Sequence, residues 1–220
     1  MTLEIVEADL SHVPALQAIY AHWVTTGLAS FEEIPPDIAE MDRRRCEVQA
    51  RGLPYLAAVE GRALLGFAPT VLGFAYVGPY RTRPAYRYTV EDSVYVAPGA
   101  HGRGVGRALL GRLIAQAQAR NLRQMVAIIG DSANHASIGL HEALGFERTG
   151  VLRSVGFKHG RWVDSVVMQR ALGLATPPCP DFVKVAALRS GLRYSRRLVK
   201  RAVPRDGPSS GRKRPSGAAS

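Results

Sequence analysis

The chain has 220 residues, of which 46% are hydrophobic, and this is enough for one domain with a packed core plus an appendage. Its net charge of +11 is uneven, because +9 falls within residues 174–220 and only +2 within the first 173. An acidic N-terminal stretch and the lack of an apolar run of ~18 residues argue against a secretory signal and a membrane span. Two distant cysteines, Cys46 and Cys179, predict reduced thiols in a cytoplasmic protein.

The charge distribution divides the chain in two. Residues 1–173 form the predicted domain. Residues 174–220 form a predicted disordered, basic tail, because their Arg, Lys, Pro and Gly content cannot build a core. The tail is expected to bind polyanions weakly, and its residues 186–203 could fold as a basic helix on a partner. No Cys/His cluster has the spacing of a zinc site, so no metal is expected.

In chain order, strand and helix patterns alternate through the first domain. Asp9 or Ser11 can cap the first helix, Asp37 the second and Asn134 the last. The order βααβββαβαββ predicts an α+β fold with a mixed sheet. The predicted strands are 3–7, 55–60, 71–77, 89–96, 123–129, 151–157 and 162–170, and the predicted helices end near residues 26, 50, 120 and 144.

Three local features carry smaller predictions. The near repeat of LGFA at 65–68 and 72–75 could lengthen a hairpin or create a bulge. Arginines 43–45 are predicted to form a solvated helix face. Trp162 is predicted to lie in the core.

A glycine-rich stretch joins strand 89–96 to the third helix. Pro98 and Gly99 must leave the strand, and the sequence GRGVGR at 102–107 precedes a helical pattern. Free amides at a helix start, close backbone approach and two arginines together predict a phosphate cradle. The stretch fits neither the dinucleotide fingerprint nor the Gly-Lys-Ser/Thr phosphate loop. The alternative is a plain glycine-rich turn.

This stretch resembles the coenzyme A loop of the GCN5-related N-acetyltransferases (GNAT), R/Q-x-x-G-x-G/A, with His101 at the R/Q position. Four further segments resemble the phosphinothricin and methionine sulfoximine N-acetyltransferases within that family. They are ASFEEIPP at 29–36, GPYRTRPAYRYTVEDSVYV at 78–96, AIIGDSANHASIGLHEALGFERTG at 127–150 and FKHGRWVDSVVMQR at 157–170. The resemblance covers residues 3–170 and implies a mostly antiparallel sheet, flanked by helices, whose central strands splay apart.

The resemblance also implies an activity and a set of site residues. Acetyl-CoA is the implied acetyl donor, a small anionic amino acid the implied acceptor, and a homodimer is expected. Glu91 is the implied general base, and His141 stands where many relatives carry a tyrosine beside the cofactor sulfur, although a structural histidine is the alternative. The implied cofactor residues are Val94, Tyr95, Val96, Gly102, Arg103, Gly104, Val105, Gly106, Arg107, Asn134 and Ser137. The implied substrate residues are Phe31, Glu32, Thr82, Arg83, Pro84, Glu91, Asp92 and Ser93.

Other functions remain open at this point. One is acetylation of protein N-termini or other amines, although the arginine-rich loop at 78–87 favours a small anionic substrate. Another is a body without catalysis whose basic tail binds polyanions, which the retained Glu91 and glycine loop disfavour. The chain departs from the family at His101, at the insertion in 64–75 and in the tail.

Overall fold

The computed structural model describes residues 2–61 and 69–173. The described strands are β1 (Leu3–Glu7), β2 (Tyr55–Glu60), β3 (Thr70–Pro79), β4 (Thr89–Val96), β5 (Gln124–Gly130), β6 (Glu147–Lys158) and β7 (Arg161–Ala171). The described α-helices are α1 (Val13–Thr26), α2 (Ile38–Ala50), α3 (Val105–Ala119) and α4 (His135–Ala143). The predicted order of strands and helices is confirmed.

One mixed sheet runs through the domain in the order β1-β2-β3-β4-β5-β7-β6. All neighbouring strands are antiparallel except β4 and β5, which are parallel. These two pair only from Thr89 opposite Gln124 to Asp92 opposite Ala127. Beyond that point β4 continues to Val96 and β5 to Gly130 without pairing to each other, although each stays paired to its other neighbour. The predicted sheet and its splayed central strands are therefore confirmed, and the second half of β4 has a free edge.

The two faces of the sheet carry separate cores. Helices α3 and α4 cover one face, where Leu109, Leu110 and Leu113 are fully buried. Helices α1 and α2 cover the other face, where Leu16 and Phe74 are buried. Because side chains alternate along a strand, neighbouring residues of β4 belong to different faces of the domain.

Several boundaries differ from the predicted ones because local geometry interrupts the simple periodicity. Asp9 caps a short 3₁₀ helix, Leu10–His12, before α1 begins. Strand β6 starts well before residue 151, and irregularities at Arg148/Gly150 and Leu152/Gly156 break its alternation. A bulge in β3 leaves Leu72 without a partner in β2, within the second copy of LGFA. The first copy and the predicted tail lie outside the described residues.

Candidate active site

The turn between β4 and α3 is built to hold an anion. Gly99, Gly102 and Gly104 have φ angles of +80°, +73° and +79°, a left-handed conformation that side-chain-bearing residues rarely adopt. Gly104 is the N-cap of α3 and offers no side-chain cap. The first amides of α3 are therefore free to donate to an anion, with the helix dipole adding partial positive charge.

A cavity of about 350 Å³ opens above this turn. Arg107 lines it, whereas Arg103 turns away and pairs with Glu60 of β2. Gly106 lets α3 approach α4, because a Cβ there would lie 3.2 Å from Leu140 Cδ2. The implied cofactor residues that line the cavity are Val94, Tyr95, Val96, Gly102, Gly104, Val105, Gly106, Arg107, Asn134 and Ser137.

Trp23 of α1 closes one side of the cavity, a position that sequence reasoning missed. Its indole Nε1 donates a hydrogen bond of 2.8 Å to the carbonyl oxygen of Val96. Its ring also meets His101, the unusual residue of the loop, edge to face at 5.4 Å. The partners are more than seventy residues apart, so no local sequence signal could have joined them.

Asn134 begins α4 as predicted. Its side-chain oxygen accepts a hydrogen bond of 3.2 Å from the amide of Ser137, which makes it the helix cap. Both residues also line the cavity. Capping therefore fixes this wall of the cleft.

Glu91 lies on the opposite face of β4 from the α3 core, half-buried within the sheet. Burial raises the pKa of its carboxyl, the neighbouring negative charge of Asp92 raises it further, and Arg81 lowers it in part. A carboxylate with a raised pKa is a better proton acceptor near neutral pH. Its position and chemistry suit a general base.

Asp92 and His141 form a buried pair across the cleft, with exposed fractions of 7% and 3%. His141 Nε2 lies 3.0 Å from Asp92 Oδ2, and His141 Nδ1 lies 2.7 Å from the carbonyl oxygen of Ser137. Burial lowers the pKa of His141, but the Asp92 hydrogen bond and charge outweigh it, so the pKa is raised. The Asp92 side chain thus points to His141, away from the face that carries Glu91 and Ser93.

Long-range contacts hold the loop that carries Phe31. The Ser30 hydroxyl shares a hydrogen bond of 3.0 Å with the Tyr20 hydroxyl. The Ser30 carbonyl oxygen accepts a hydrogen bond of 2.6 Å from the ammonium group of the buried Lys158. The Phe31 ring lies on Gly156, where a Cβ would come within 2.3 Å of the ring. The loop is therefore pinned to α1 and β6.

The prediction of a solvated face at arginines 43–45 is wrong for part of that face. Arg44 bridges Glu40 and Glu32, the latter in the Phe31 loop. Arg45 is only 9% exposed and pairs with Asp42. Arg43 pairs with Glu40 and Glu47 on the exposed side of α2, so only this arginine fits the predicted solvated face.

The loop between β3 and β4 borders a large cavity of about 1000 Å³ beside α2. Thr82, Arg83 and Pro84, the implied substrate residues of this loop, all line it. Arg44, Arg81 and other arginines add positive charge to its wall, as recognition of an anionic ligand requires. Phe31, Glu32 and Glu91 are not among its lining residues, so the structure separates the implied substrate set.

Neither a metal site nor a membrane helix occurs in the described part of the chain. Residues 2–61 and 69–173 contain no group of three His, Cys, Asp or Glu side chains that could hold a metal. None of the helices in these ranges combines the length and hydrophobicity needed to cross a bilayer.

A parted central sheet, with a glycine turn entering a helix at the opening, defines an acetyltransferase of the GNAT class. The profile of the acetyltransferase (GNAT) family matches residues 16–146. The chain belongs to this family, and the predicted class, an N-acetyltransferase, is confirmed.

Individual relatives agree with this assignment. The chain is 52% identical to phosphinothricin N-acetyltransferase of Alcaligenes faecalis over 82% of its length and 87% of the relative's. It is 40% identical to the L-methionine sulfoximine/L-methionine sulfone acetyltransferase of Pseudomonas aeruginosa, over 77% and 94%. A crystal structure of a phosphinothricin acetyltransferase from Sinorhizobium meliloti in complex with acetyl-CoA is 42% identical, with a TM-score of 0.75 over 82% of this chain and 95% of that one.

Proposed function

We propose that this enzyme transfers the acetyl group of acetyl-CoA to the α-amine of phosphinothricin, methionine sulfoximine, methionine sulfone or a similar anionic amino acid. The observation that carries the proposal is Glu91, a half-buried carboxylate with a raised pKa next to the point where β4 and β5 part. The named activities of the relatives at 52% and 40% identity support the substrate class.

The described residues fit acetyl-CoA. Free amides at Val105, Gly106 and Arg107, with the charge of Arg107, would hold the pyrophosphate. The free edge of β4 at 93–96 would pair with the pantetheine arm through its backbone. When bound, acetyl-CoA supplies an activated thioester.

Glu91 supplies the base that the acceptor amine needs. An α-ammonium group cannot attack a carbonyl until it loses its proton, and a carboxylate within reach can accept that proton directly or through water. Desolvation of Glu91 favours its uptake of a proton, because burial destabilises the charged carboxylate more than the neutral carboxyl.

The acceptor pocket is proposed to include the loop at 80–88 and the Phe31 loop. Arg81, Arg83 and Arg44 would supply guanidinium groups for the carboxylate and phosphinate or sulfoximine groups of the acceptor. Phe31, held on Gly156, would be an apolar wall, and Glu32 is held by Arg44. Ser93 lies on the same strand face as Glu91 and would contact the acceptor.

Glu91→Gln tests this function, since it keeps the shape of the side chain and removes the base. We expect kcat with phosphinothricin or methionine sulfoximine to fall by roughly 10²-fold or more, with partial recovery at high pH and little change in acetyl-CoA affinity. Glu4→Gln, at a strand carboxylate of β1 outside the site, is the control. Wild-type turnover by Glu91→Gln at neutral pH would place the base elsewhere.

The proposal distinguishes this enzyme from one that acetylates protein N-termini. A panel of free amino acids and short peptides, assayed for thiol release from acetyl-CoA, should show preference for the small anionic acceptors. Faster turnover of peptides would favour the alternative, and no turnover of any amine would favour a body without catalysis.

A homodimer through β6 and β7 is part of the proposal. β6 is a sheet edge, and Val155, Phe157 and Trp162 are 54%, 55% and 66% exposed. The prediction that Trp162 lies in the core is wrong, because its ring packs on Phe157, which is itself exposed. An apolar edge of this kind suits a second copy of the chain. Analytical ultracentrifugation should show a dimer for the wild type. Val155→Lys, which places a charge on this edge, should shift the protein toward the monomer.

The domain boundary and the tail remain proposals. A chain cut after Gly173 should keep its fold and turnover, because the described sheet is complete by Ala171. Full-length and cut chains compared on a polyanion column should differ in salt-dependent retention. The cytoplasmic location, predicted from the cysteines, also stays a prediction.

A further inference from the structure

The buried Asp92–His141 pair is a titratable group that the base mechanism leaves unused. A backbone carbonyl can only accept, so the 2.7 Å contact with Ser137 fixes a proton on His141 Nδ1. The 3.0 Å contact between Nε2 and Asp92 Oδ2 then needs a second proton, because two lone pairs would otherwise face each other. The pair therefore holds one proton between imidazole and carboxyl and is neutral as a whole.

The described residues that line the cavity beside the pair supply no positive charge that could replace this proton. His141 packs against the edge of Phe146 at 5.0 Å, and β5 contributes the uncharged residues 127–130 to the adjoining cavity. No lysine or arginine is among the described residues that line it. The other carboxylate nearby, Glu91, is on the opposite face of β4 and is itself negative when ionised.

Asp92 also has a free side. Its Oδ1 is buried and has no hydrogen-bond partner among the described residues. Asp92, Ser137 and His141 line a cavity of about 50 Å³ between the parted strands, which has room for a water molecule. Both imidazole nitrogens of His141 are occupied by hydrogen bonds. The route for a proton from the pair to the cleft is therefore the Asp92 carboxyl, which borders the cavity.

We propose that the Asp92–His141 pair is the proton store that neutralises the thiolate released by acetyl transfer, with Asp92 as the positioning residue that keeps His141 charged. This inference rests on the proposed function. In the step, Asp92 takes the Nε2 proton of His141 and turns its carboxyl so that this proton faces a water in the cavity. The O–H bond of the carboxyl then breaks as the water passes a proton to the sulfur and an S–H bond forms, which leaves His141 neutral and the negative charge on the Asp92 carboxylate. Solvent returns the proton after the thiol leaves.

The raised pKa of His141 agrees with this role, because the store must remain loaded at neutral pH. If turnover needs the protonated pair, the contribution of the pair to kcat is constant at low pH. It declines as pH rises through the pKa at which the pair loses its proton. Removing the Asp92 charge lowers the pKa of His141 and moves that decline to lower pH.

The first test uses the free protein and needs no turnover. Nitrogen-15 labelling of the six histidines, with the His141 signals assigned by their loss in His141→Gln, gives the protonation of each ring nitrogen against pH. We expect both His141 nitrogens to carry protons at pH 7 in wild type. Asp92→Asn should lower the titration by about one pH unit or more. Asp164→Asn is the control, because the Asp164 carboxylate accepts hydrogen bonds from Ser132 and Ser154 and not from His141. It should leave the His141 titration unchanged.

The second test is the pH profile of kcat. Asp92→Asn should lower kcat by roughly 10-fold to 100-fold at pH 8, less than a lost base because a thiolate is already a good leaving group, and should move the alkaline limb to lower pH. A neutral His141 at pH 7 in wild type overturns the proposal. An Asp92→Asn enzyme that melts earlier but keeps the wild-type profile overturns it too, and shows a purely structural pair. Glu91→Gln with normal turnover would instead refute the base and leave the His141 titration untouched.

Discussion

The glycine turn at 97–104 and the loop that carries Phe31 are built in different ways. The turn at 97–104 takes its shape from its own backbone, with three glycines at positive φ and a helix that begins at once. The Phe31 loop takes its shape from partners far along the chain, namely Tyr20, Lys158 and Gly156.

This difference decides how each region responds to change. A turn whose shape is set by its own backbone depends first on its glycines, because their positive φ angles fix its path. Distant side chains, Glu60 and Trp23, contact only the side chains of Arg103 and His101 in this turn. A loop made by distant side chains depends on every one of them, so a mutation in β6 can alter the Phe31 loop, which we propose as a wall of the acceptor pocket. Four substitutions test and sharpen this contrast.

Gly104→Val should have the largest effect. A β-branched residue at φ +79° is strained by about 1–2 kcal/mol, and its side chain would project into the anion cavity. We expect the acetyl-CoA dissociation constant, measured by calorimetry, to rise by roughly 100-fold while the fold survives. Gly99→Val is the matched control, because Gly99 has φ +80° but does not line the cavity. Equal losses in both variants would mean that strain alone, and not the cavity, explains the effect.

Gly156→Ala should damage the acceptor side and spare the cofactor side. The new methyl group would lie within 2.3 Å of the Phe31 ring and displace it from β6. We expect KM for the acceptor to rise by about 10-fold, with acetyl-CoA affinity unchanged. Gly150→Ala in the same strand meets no atom within 4 Å and should behave as wild type. An unchanged KM in Gly156→Ala would remove Phe31 from the acceptor pocket.

Trp23→Phe should have a moderate effect on the cofactor side. It removes the hydrogen bond to Val96 O and keeps an aromatic wall, so acetyl-CoA affinity should fall by about 3-fold to 10-fold. The chain has two tryptophans, which gives a direct readout. In Trp162→Phe, the remaining fluorescence of Trp23 should change when acetyl-CoA binds. If it does not change, Trp23 does not border the bound cofactor.

Arg81→Gln should have the smallest effect on kcat, a shift of its pH profile measured at saturating acceptor, and should also raise KM for the acceptor because a proposed binding guanidinium is lost. Arg81 lowers the pKa of Glu91, so its removal raises that pKa and shifts the acidic limb of kcat to higher pH by less than about one unit. High salt should shift the wild-type limb in the same direction, because it screens the exposed Arg81 more than the buried Asp92. A limb that moves to lower pH would contradict the assigned base.

The same contrast explains which parts of the site could be predicted from the sequence. The glycine turn and the Asn134 cap are local patterns, and the structure forms both as expected. The free edge of β4 at 93–96 was implied by the family resemblance and not by a local pattern. The Asp92–His141 pair was missed because Asp92 was assigned to the acceptor from its place beside Glu91. Alternation along β4 turns the two side chains to opposite faces, and the sequence carried that signal.

The sequence by itself determined the order of strands and helices, the glycine turn and the acetyltransferase family. Each of these depends on residues close together in the chain, whose spacing sets a backbone shape or a helix face. Only the tertiary structure decided that Trp23 meets Val96, that Lys158 holds Ser30 and that Asp92 faces His141. These contacts join segments separated by dozens of residues. Their formation depends on how the helices pack on the two faces of the sheet, which no local pattern specifies.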